Sequence, residues 1–523
     1  MTEVELAAAE APLVLALDVG TSSVRAIIYD ARGRAVAGAA GHGGIEPRVT
    51  PDGGVEVDAD ALVTSTLAQI DAVARQAPAA LAAVRAVGSC TFWHSLLGVD
   101  AAGRAITPLL MWADARSHAA ARALRSTLDE RAVHARTGCV LHWSYWPAKL
   151  RWLADTRPDA TRRARHWLSF GEYLYLQVFG ALQNSISMAS GTGLLDQHTC
   201  AWDSQVLAAI PLDPGTLAPL SDAPLAGLRP AYAARWPTLA TVPWYPPHGD
   251  GACSNVGSGC VTCDRFALMV GTSGALRVAY RAADVTIPWG AWCYRLDAAR
   301  VVLGGALNNG GNLYAWLDDT LRLDAEPAPE TELAALPPDG HGLTVLPFVA
   351  GERSPGWAVV ARGAIVGLTL ATRPVDILRA GLEAVALQFA LIATIVDEAV
   401  PGTQRMIATG GALVRSPAWT QIIADALGRP VTLCVEPEAS SRGAALLALE
   451  ALGAIPSVEA VPAALGPTFE PNPTHHARYQ AALARQQRLY DILIATEPAV
   501  GPPAMPGDAL LGRRPDPPSP VPS

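Results

Sequence analysis

The tetrapeptide Val-Gly-Thr-Ser occurs twice in this chain, at Val19–Ser22 and Val270–Ser273, 251 positions apart. Each copy follows an apolar run, LVLALD before the first and FALM before the second. Each is followed by another run carrying an arginine, Arg25 or Arg277. The pattern predicts a strand, a tight turn and a second strand, made twice. Glycine at Gly20 and Gly271 lets the backbone come close to an anion. The turn N–H groups and the hydroxyls of Thr21, Ser22, Thr272 and Ser273 then supply donors for phosphate oxygens. Only the first copy has a carboxylate beside it, because Asp18 stands where the second has Met269. Such turns also arise by chance, but the long spacing and matched flanks favour two halves on one plan around a phosphate-binding cleft.

With 523 residues, half of them hydrophobic, the chain exceeds what one core holds and suits two domains. A net charge of −9 and the lack of a basic stripe argue against nucleic acid. The acidic start MTEVELAAAEAP does not read as a secretory signal, and no apolar stretch is expected to span a bilayer, so a cytoplasmic location without a membrane partner is expected. The eight cysteines are scattered except for Cys253, Cys260 and Cys263, which lack a zinc-site pattern and read as thiols. The basic residues are 38 arginines and one lysine, Lys149. A coding bias explains the arginines and leaves Lys149 as the position that escaped it.

Residues 1–12 read as a loose leader. Strands are expected within Leu13–Val36, and a strand pair within Val84–Val99 around Thr91-Phe-Trp-His94. Helices are expected at about Asp114–Leu128, Pro147–Leu153 and Thr372–Val400. Ser416 reads as an N-cap with Pro417 at the first helical position; Trp419, Ile422, Ile423 and Ala426 then share a face, and Gly428 ends the helix. Arg429–Glu436 reads as a strand and Ser441–Leu452 as a helix. After about Thr496 the chain is proline-rich and is expected to be disordered and dispensable.

Several residues could carry chemistry. Asp250 in HGDGACSNVGSG is a glycine-flanked carboxylate at the join of the halves, suited to take a proton from an alcohol as a phosphoryl group arrives. A Gly-Asp-Gly taken alone is more often a turn aspartate. Asp18 could bond the turn amides or hold Mg²⁺. Gly410, Gly411 and Ala412 lie between an apolar run and a capped helix, a seat for a nucleotide or a turn that binds nothing. Trp93, His94, Trp112, Asp114 and Arg116 could line a sugar site, although each tryptophan alone could equally be core.

Together these motifs resemble the FGGY family of carbohydrate kinases, from about Leu13 to about Tyr490. LALDVGTSSVRAIIYD is similar to the family's first phosphate hairpin, HGDG to its catalytic-base segment and VGTSGALRV to its second hairpin. GERSPGWAVVARGAIVGLTLATRPVDILRAGLEAVA resembles the second family signature, with Gly381 at a position usually aliphatic or hydroxylated. SYWPAKLRWLAD matches the first signature in part, with Lys149 at its lysine. The resemblance implies an α/β fold of two actin-like (ribonuclease H-like) ATPase domains around a central cleft, residues 1–254 and 255–495, followed by the tail 496–523. It implies Asp250 as base, Asp18 on the metal side, Thr272 and Ser273 near the γ-phosphate, Gly310 near the phosphates and Gly411 against the nucleotide. ATP and Mg²⁺ are the implied cofactors, a small sugar or sugar acid the partner, and a homodimer an option.

CTFWHSLLGVD and WADAR resemble the sugar loops of xylulokinases, whereas GERSPGW and SMASGTGLLD lean toward gluconokinase-like members. D-gluconate is therefore the expected substrate and a ketopentose such as xylulose the runner-up. Arg116 and Arg353 are candidates for the carboxylate. A non-metabolic actin-like ATPase would share the hairpins without needing Asp250 or the tryptophans. A sugar-sensing pseudokinase would not need both Asp18 and Asp250.

Overall fold

Two sheets of the same plan lie at the centre of the computed structural model, which describes residues 3–495 apart from 322, 324–328, 359 and 403. The proline-rich stretch from 496 onward lies outside the described residues. In the first sheet Ala35–Gly44, Ser23–Tyr29, Leu13–Val19, Val84–Thr91 and His248–Gly249 stand side by side. The first two junctions are antiparallel and the next two parallel. The second sheet repeats that order and those directions with Arg300–Leu307, Gly274–Arg281, Arg265–Val270, Arg405–Thr409 and Val431–Cys434. The repeat read from a tetrapeptide therefore extends to five strands in each half, which is the duplicated α/β plan expected of an actin-like fold. All seven residues of Leu13–Val19 and all eight of Arg300–Leu307 are buried, as strands covered on both faces must be.

Most expected elements are present with shifted ends. The Ser416 side chain accepts the N–H of Trp419, the helix runs Pro417–Leu427, and Gly428 closes it at φ +64°. Ala439–Ala451 and Trp146–Thr156 are the other helices near their expected places. Four expectations need correction. Residues 1–12 are not a loose leader throughout, because Glu3–Val4 pairs with Ala35–Val36 at the sheet edge. Leu97–Val99 does not pair with Val84–Thr91 but with His166–Leu168 in a separate sheet. The helix expected from Asp114 begins only at His118, because the Asp114 carboxylate accepts the N–H groups of Val55 and Arg116 and holds a turn there. Finally, Pro374–Ala399 is a 26-residue helix long and apolar enough to cross a bilayer, with mean hydropathy 1.6 over its best window. It covers the second sheet instead, with 78% of that window buried.

Two helices join the halves. Asp250–Gly257 continues directly from the last strand of the first sheet. Ala439–Ala451 follows the last parallel strand of the second and packs across Leu13–Val19 and Val84–Thr91 of the first. The two helices cross at backbone contact. A Cβ at Gly257 would fall on the Ala439 carbonyl, one at Gly443 on the Cys253 carbonyl, and one at Gly88 on that of Ala444. Side chains there would force the helices and the sheet apart, and backbone cannot yield as a side-chain tip can. Gly443→Val is expected to lower stability by about 3 kcal/mol or more and to reduce activity in parallel, as read by urea unfolding and turnover. Gly453→Ala, which meets nothing within 4 Å, serves as a control for glycine replacement; its positive φ makes a small loss acceptable.

Candidate active site

The two hairpins open onto one cavity of about 350 Å³ between the sheets. Thr21 lines it from the first turn and Ser273 from the second, with Asp250 between them. The turns differ by one residue: Val19 pairs with Val24, whereas Val270 pairs with Gly274. Each glycine N–H is held within its turn, Gly20 to the Ser23 carbonyl at 2.9 Å and Gly271 to that of Ser273 at 3.0 Å. The second turn is buttressed by two more glycine segments. Gly311 N–H donates to the Gly271 carbonyl at 2.8 Å and Asn312 N–H to that of Thr272 at 3.1 Å. A Cβ at Gly310 would stand 2.9 Å from Ser273 backbone, and one at Gly410 (φ +101°) would strike the Val270 carbonyl. Gly271–Ser273, Gly310 and Gly410–Ala412 thus come together from three distant parts of the sequence. The short helix Gly411–Arg415 starts at that junction.

Asp250 is the first residue of its helix, and its Oδ1 accepts the Gly251 N–H at 2.7 Å. Burial, and then the charge of Asp18, push its pKa up to about 6, while the Gly251 N–H and Arg277 pull the other way. Asp18 is buried in its strand and does not line the cavity. Its carboxylate accepts from the Cys90 thiol at 3.3 Å and lies 3.5 Å from Arg25, which is itself held by Glu438 at 2.9 Å. Burial raises the Asp18 pKa, with Arg25 and Cys90 opposing. The two carboxylates thus lie close enough for the Asp18 charge to raise the pKa of Asp250. Hard oxygen donors in that condition fit a magnesium ion bound through water.

Much of the cavity wall is aromatic. Trp93, His94, Trp112, Trp292 and Tyr294 line it with Arg353. Trp93 Nε1 donates to the Ser187 carbonyl at 2.9 Å, and its ring lies against the backbone of Gly249 and Gly251, where any Cβ would collide with it. His94 has φ +68°, a conformation that costs energy outside glycine. Its Nδ1 donates to the Gly191 carbonyl at 2.5 Å, which leaves the lone pair on Nε2. Burial lowers its pKa to about 3, so the ring is neutral and can accept from a hydroxyl. Arg353 stacks on Trp112 at 4.9 Å from the ring centre, and its buried Nε has no hydrogen-bond partner.

Asp114 and Arg116 do not line the cavity, contrary to expectation. Arg116 Nη2 bonds Asp114 at 2.5 Å and Glu56 at 2.9 Å, so the pair forms a closed buried network under the Trp112 loop. Arg116 is thereby removed as a carboxylate partner. The sequence reading missed Trp292, Tyr294 and Arg277 as cavity residues. The signals were there: Trp292 and Tyr294 alternate on one face of a short strand, and Arg277 flanks the second turn. Cys253 and Cys260 are buried thiols, and among the described residues no grouping with metal-ligand geometry contains a cysteine.

The N-terminal domain model of the FGGY family of carbohydrate kinases matches residues 13–257 and its C-terminal domain model residues 267–452. A gluconokinase of Bacillus subtilis is 27% identical over 475 residues, covering 88% of this chain and 91% of the relative. A glycerol kinase of Aromatoleum aromaticum is 32% identical, with 91% and 97% covered. The solved gluconate kinase from Lactobacillus acidophilus superposes with a TM-score of 0.86 at 26% identity, covering 92% of this chain and 98% of that one. A ligand-bound xylulose kinase from the same species gives 0.85 at 25%, with 92% and 99% covered.

The single lysine proves to be a tie rather than a ligand. Lys149 is fully buried, and its Nζ donates to the carbonyls of His94 at 2.7 Å and Met111 at 2.8 Å. Burial lowers its pKa to about 7. It thus joins the turn carrying Trp93 and His94 to the segment carrying Trp112. Lys149→Met removes the Nζ donor from both carbonyls, leaving Met111 only the Asp114 N–H at 3.2 Å, at about 1–3 kcal/mol for a carbonyl left without a partner. The expected outcome is a clearly lower melting temperature and a Michaelis constant that rises for the sugar more than for ATP.

Proposed function

This chain belongs to the FGGY family of carbohydrate kinases, and we propose that it transfers the γ-phosphoryl group of ATP to the terminal hydroxyl of an open-chain sugar acid, D-gluconate, giving 6-phosphogluconate. The observation that carries the choice of an acid is Arg353. It faces the aromatic wall of the cavity over Trp112, its Nε has no partner, and among the described residues it makes no ion pair with a carboxylate. A buried guanidinium without an anion is costly, and a substrate carboxylate would offset that cost. The similarity to gluconokinases supports the reading. A ketopentose is the second reading, favoured by the comparably close xylulose kinase structure.

In this proposal residues 1–254 and 255–495 act as two domains of a cytoplasmic enzyme that close on ATP and sugar. The turns Gly20–Ser22 and Gly271–Ser273 hold phosphate oxygens, and Gly410–Ala412 abuts the nucleotide. Asp18 would hold Mg²⁺, which neutralises the triphosphate when bound. His94 accepts a sugar hydroxyl at Nε2, the tryptophan faces cover the carbon chain, and Arg353 takes the carboxylate. Asp250 takes the proton of the terminal hydroxyl. The glycine bonds of both turns, made before any ligand arrives, spare the reaction that reorganisation. A non-metabolic ATPase would have no use for an aromatic cavity built around a carboxylate.

With Asp250 near pKa 6 in the ligand-free protein, its base form dominates above that pH. Hence kcat/KM should rise as pH increases through about 6 and level off. Asp250→Asn should cut turnover roughly 10²–10⁴-fold, remove that acid limb and melt no lower than wild type, since a desolvated charge is removed. Near-normal turnover in this variant would falsify the assignment.

Arg353→Met should raise the Michaelis constant for gluconate at least tenfold more than that for a neutral polyol. Equal losses on both would remove the carboxylate role and favour the ketopentose reading.

A further inference from the structure

The chemistry proposed above leaves a second cation of the same cavity without a task. Arg277 lies on Gly274–Arg281, the outgoing strand of the second hairpin, and lines the cavity with Ser273, Gly274 and Ala275. It is 5% exposed, its Nε has no hydrogen-bond partner, and among the described residues it makes no ion pair. Arg25 of the first hairpin, two register positions nearer its turn than Arg277, is instead held by Asp18 and Glu438. The Arg277 backbone is fixed by pairing with Ala267 on one side and Gly304 on the other. A Cβ at Gly251 would strike its Nη1, so the guanidinium stands beside the first turn of the Asp250 helix in space that only glycine leaves open. Its guanidinium therefore lies beside the candidate base, on the strand that leaves the second turn.

We infer that Arg277 is a catalytic residue whose guanidinium donates to the oxygens of the phosphoryl group in transit. This rests on the kinase reading above. In that reaction the bond from the γ-phosphorus to the β–γ bridging oxygen breaks, and ADP leaves with the electron pair. A bond from the sugar's terminal oxygen to phosphorus forms, and the hydroxyl proton passes to Asp250. Charge on the three phosphoryl oxygens is spread in the plane between the two, where a fixed guanidinium gains most. A buried cation that feels the Asp250 charge without forming an ion pair keeps its donors available for that moment. This explains why Arg277 tolerates burial without a partner in the resting protein.

The test compares wild type with Arg277→Ala and Arg277→Lys on gluconate. Turnover should fall roughly 10³-fold or more in Arg277→Ala, with Michaelis constants for ATP and sugar changed only a few-fold. Added guanidinium should restore part of it, and Arg277→Lys should lie between. Calorimetry should show wild type binding ADP with aluminium fluoride in the presence of gluconate, and Arg277→Ala losing most of that affinity while binding ADP alone normally. Turnover within about threefold of wild type, or a raised sugar Michaelis constant with unchanged turnover, would overturn the inference. So would a deficit that disappears at high pH, because Arg277 would then act only by keeping Asp250 ionised. If wild type itself released no ADP with any aldonate, ketose or polyol, the kinase reading would fail first and this assignment with it.

Discussion

The crossing of Asp250–Gly257 with Ala439–Ala451 is the constraint on which the rest of the molecule depends. Each helix issues from one sheet and lies against elements of the other half, so their separation sets the separation of the two hairpins. Gly257 and Gly443 bring the crossing to backbone contact, and Gly88 seats the second helix on the first sheet. The same crossing fixes Asp250, because the residue that begins the helix is the residue that lines the cavity. Trp93 adds a second clamp from the far side, its ring pressed against Gly249 and Gly251. Small residues thus determine where a carboxylate stands relative to two glycine turns contributed by strands 251 positions apart.

The charges in the cleft follow a division of labour. Burial raises the pKa of both Asp18 and Asp250, and the Asp18 charge raises that of Asp250 further. Most arginines near them are already committed: Arg25 to Asp18 and Glu438, Arg116 to Asp114 and Glu56. Arg277 and Arg353 are not, and both line one cavity. In the proposed reaction one serves the phosphoryl group and the other the acid group. A substrate carrying both a carboxylate and a reactive hydroxyl would give each of them a partner.

Local signals in the sequence were sufficient for the hairpins, the capped helix after Ser416 and the cleft position of Asp250, since turn chemistry, capping and a strand-to-helix switch are written in neighbouring residues. What was not legible depended on partners far along the chain. Asp114 and Arg116 look like sugar ligands in WADAR, and only Glu56 and the Val55 N–H reveal them as a support under the loop. Arg277 looked like a flanking repeat residue until Gly251 from the other half was seen to leave it room. The pairing of Leu97–Val99 with His166–Leu168, and the burial of the apolar helix Pro374–Ala399, are likewise tertiary facts. Lys149 was conspicuous for being alone, but its role needed the two carbonyls it joins.

The central claim is that this cavity phosphorylates a sugar acid rather than a neutral sugar. The direct measurement is coupled ADP release with D-gluconate, D-xylulose, D-glucitol and glycerol, with mass spectrometry locating the phosphate on the product. The account predicts the highest kcat/KM for gluconate and phosphate on its terminal hydroxyl. A kcat/KM for xylulose or a neutral polyol equal to or above that for gluconate would contradict it.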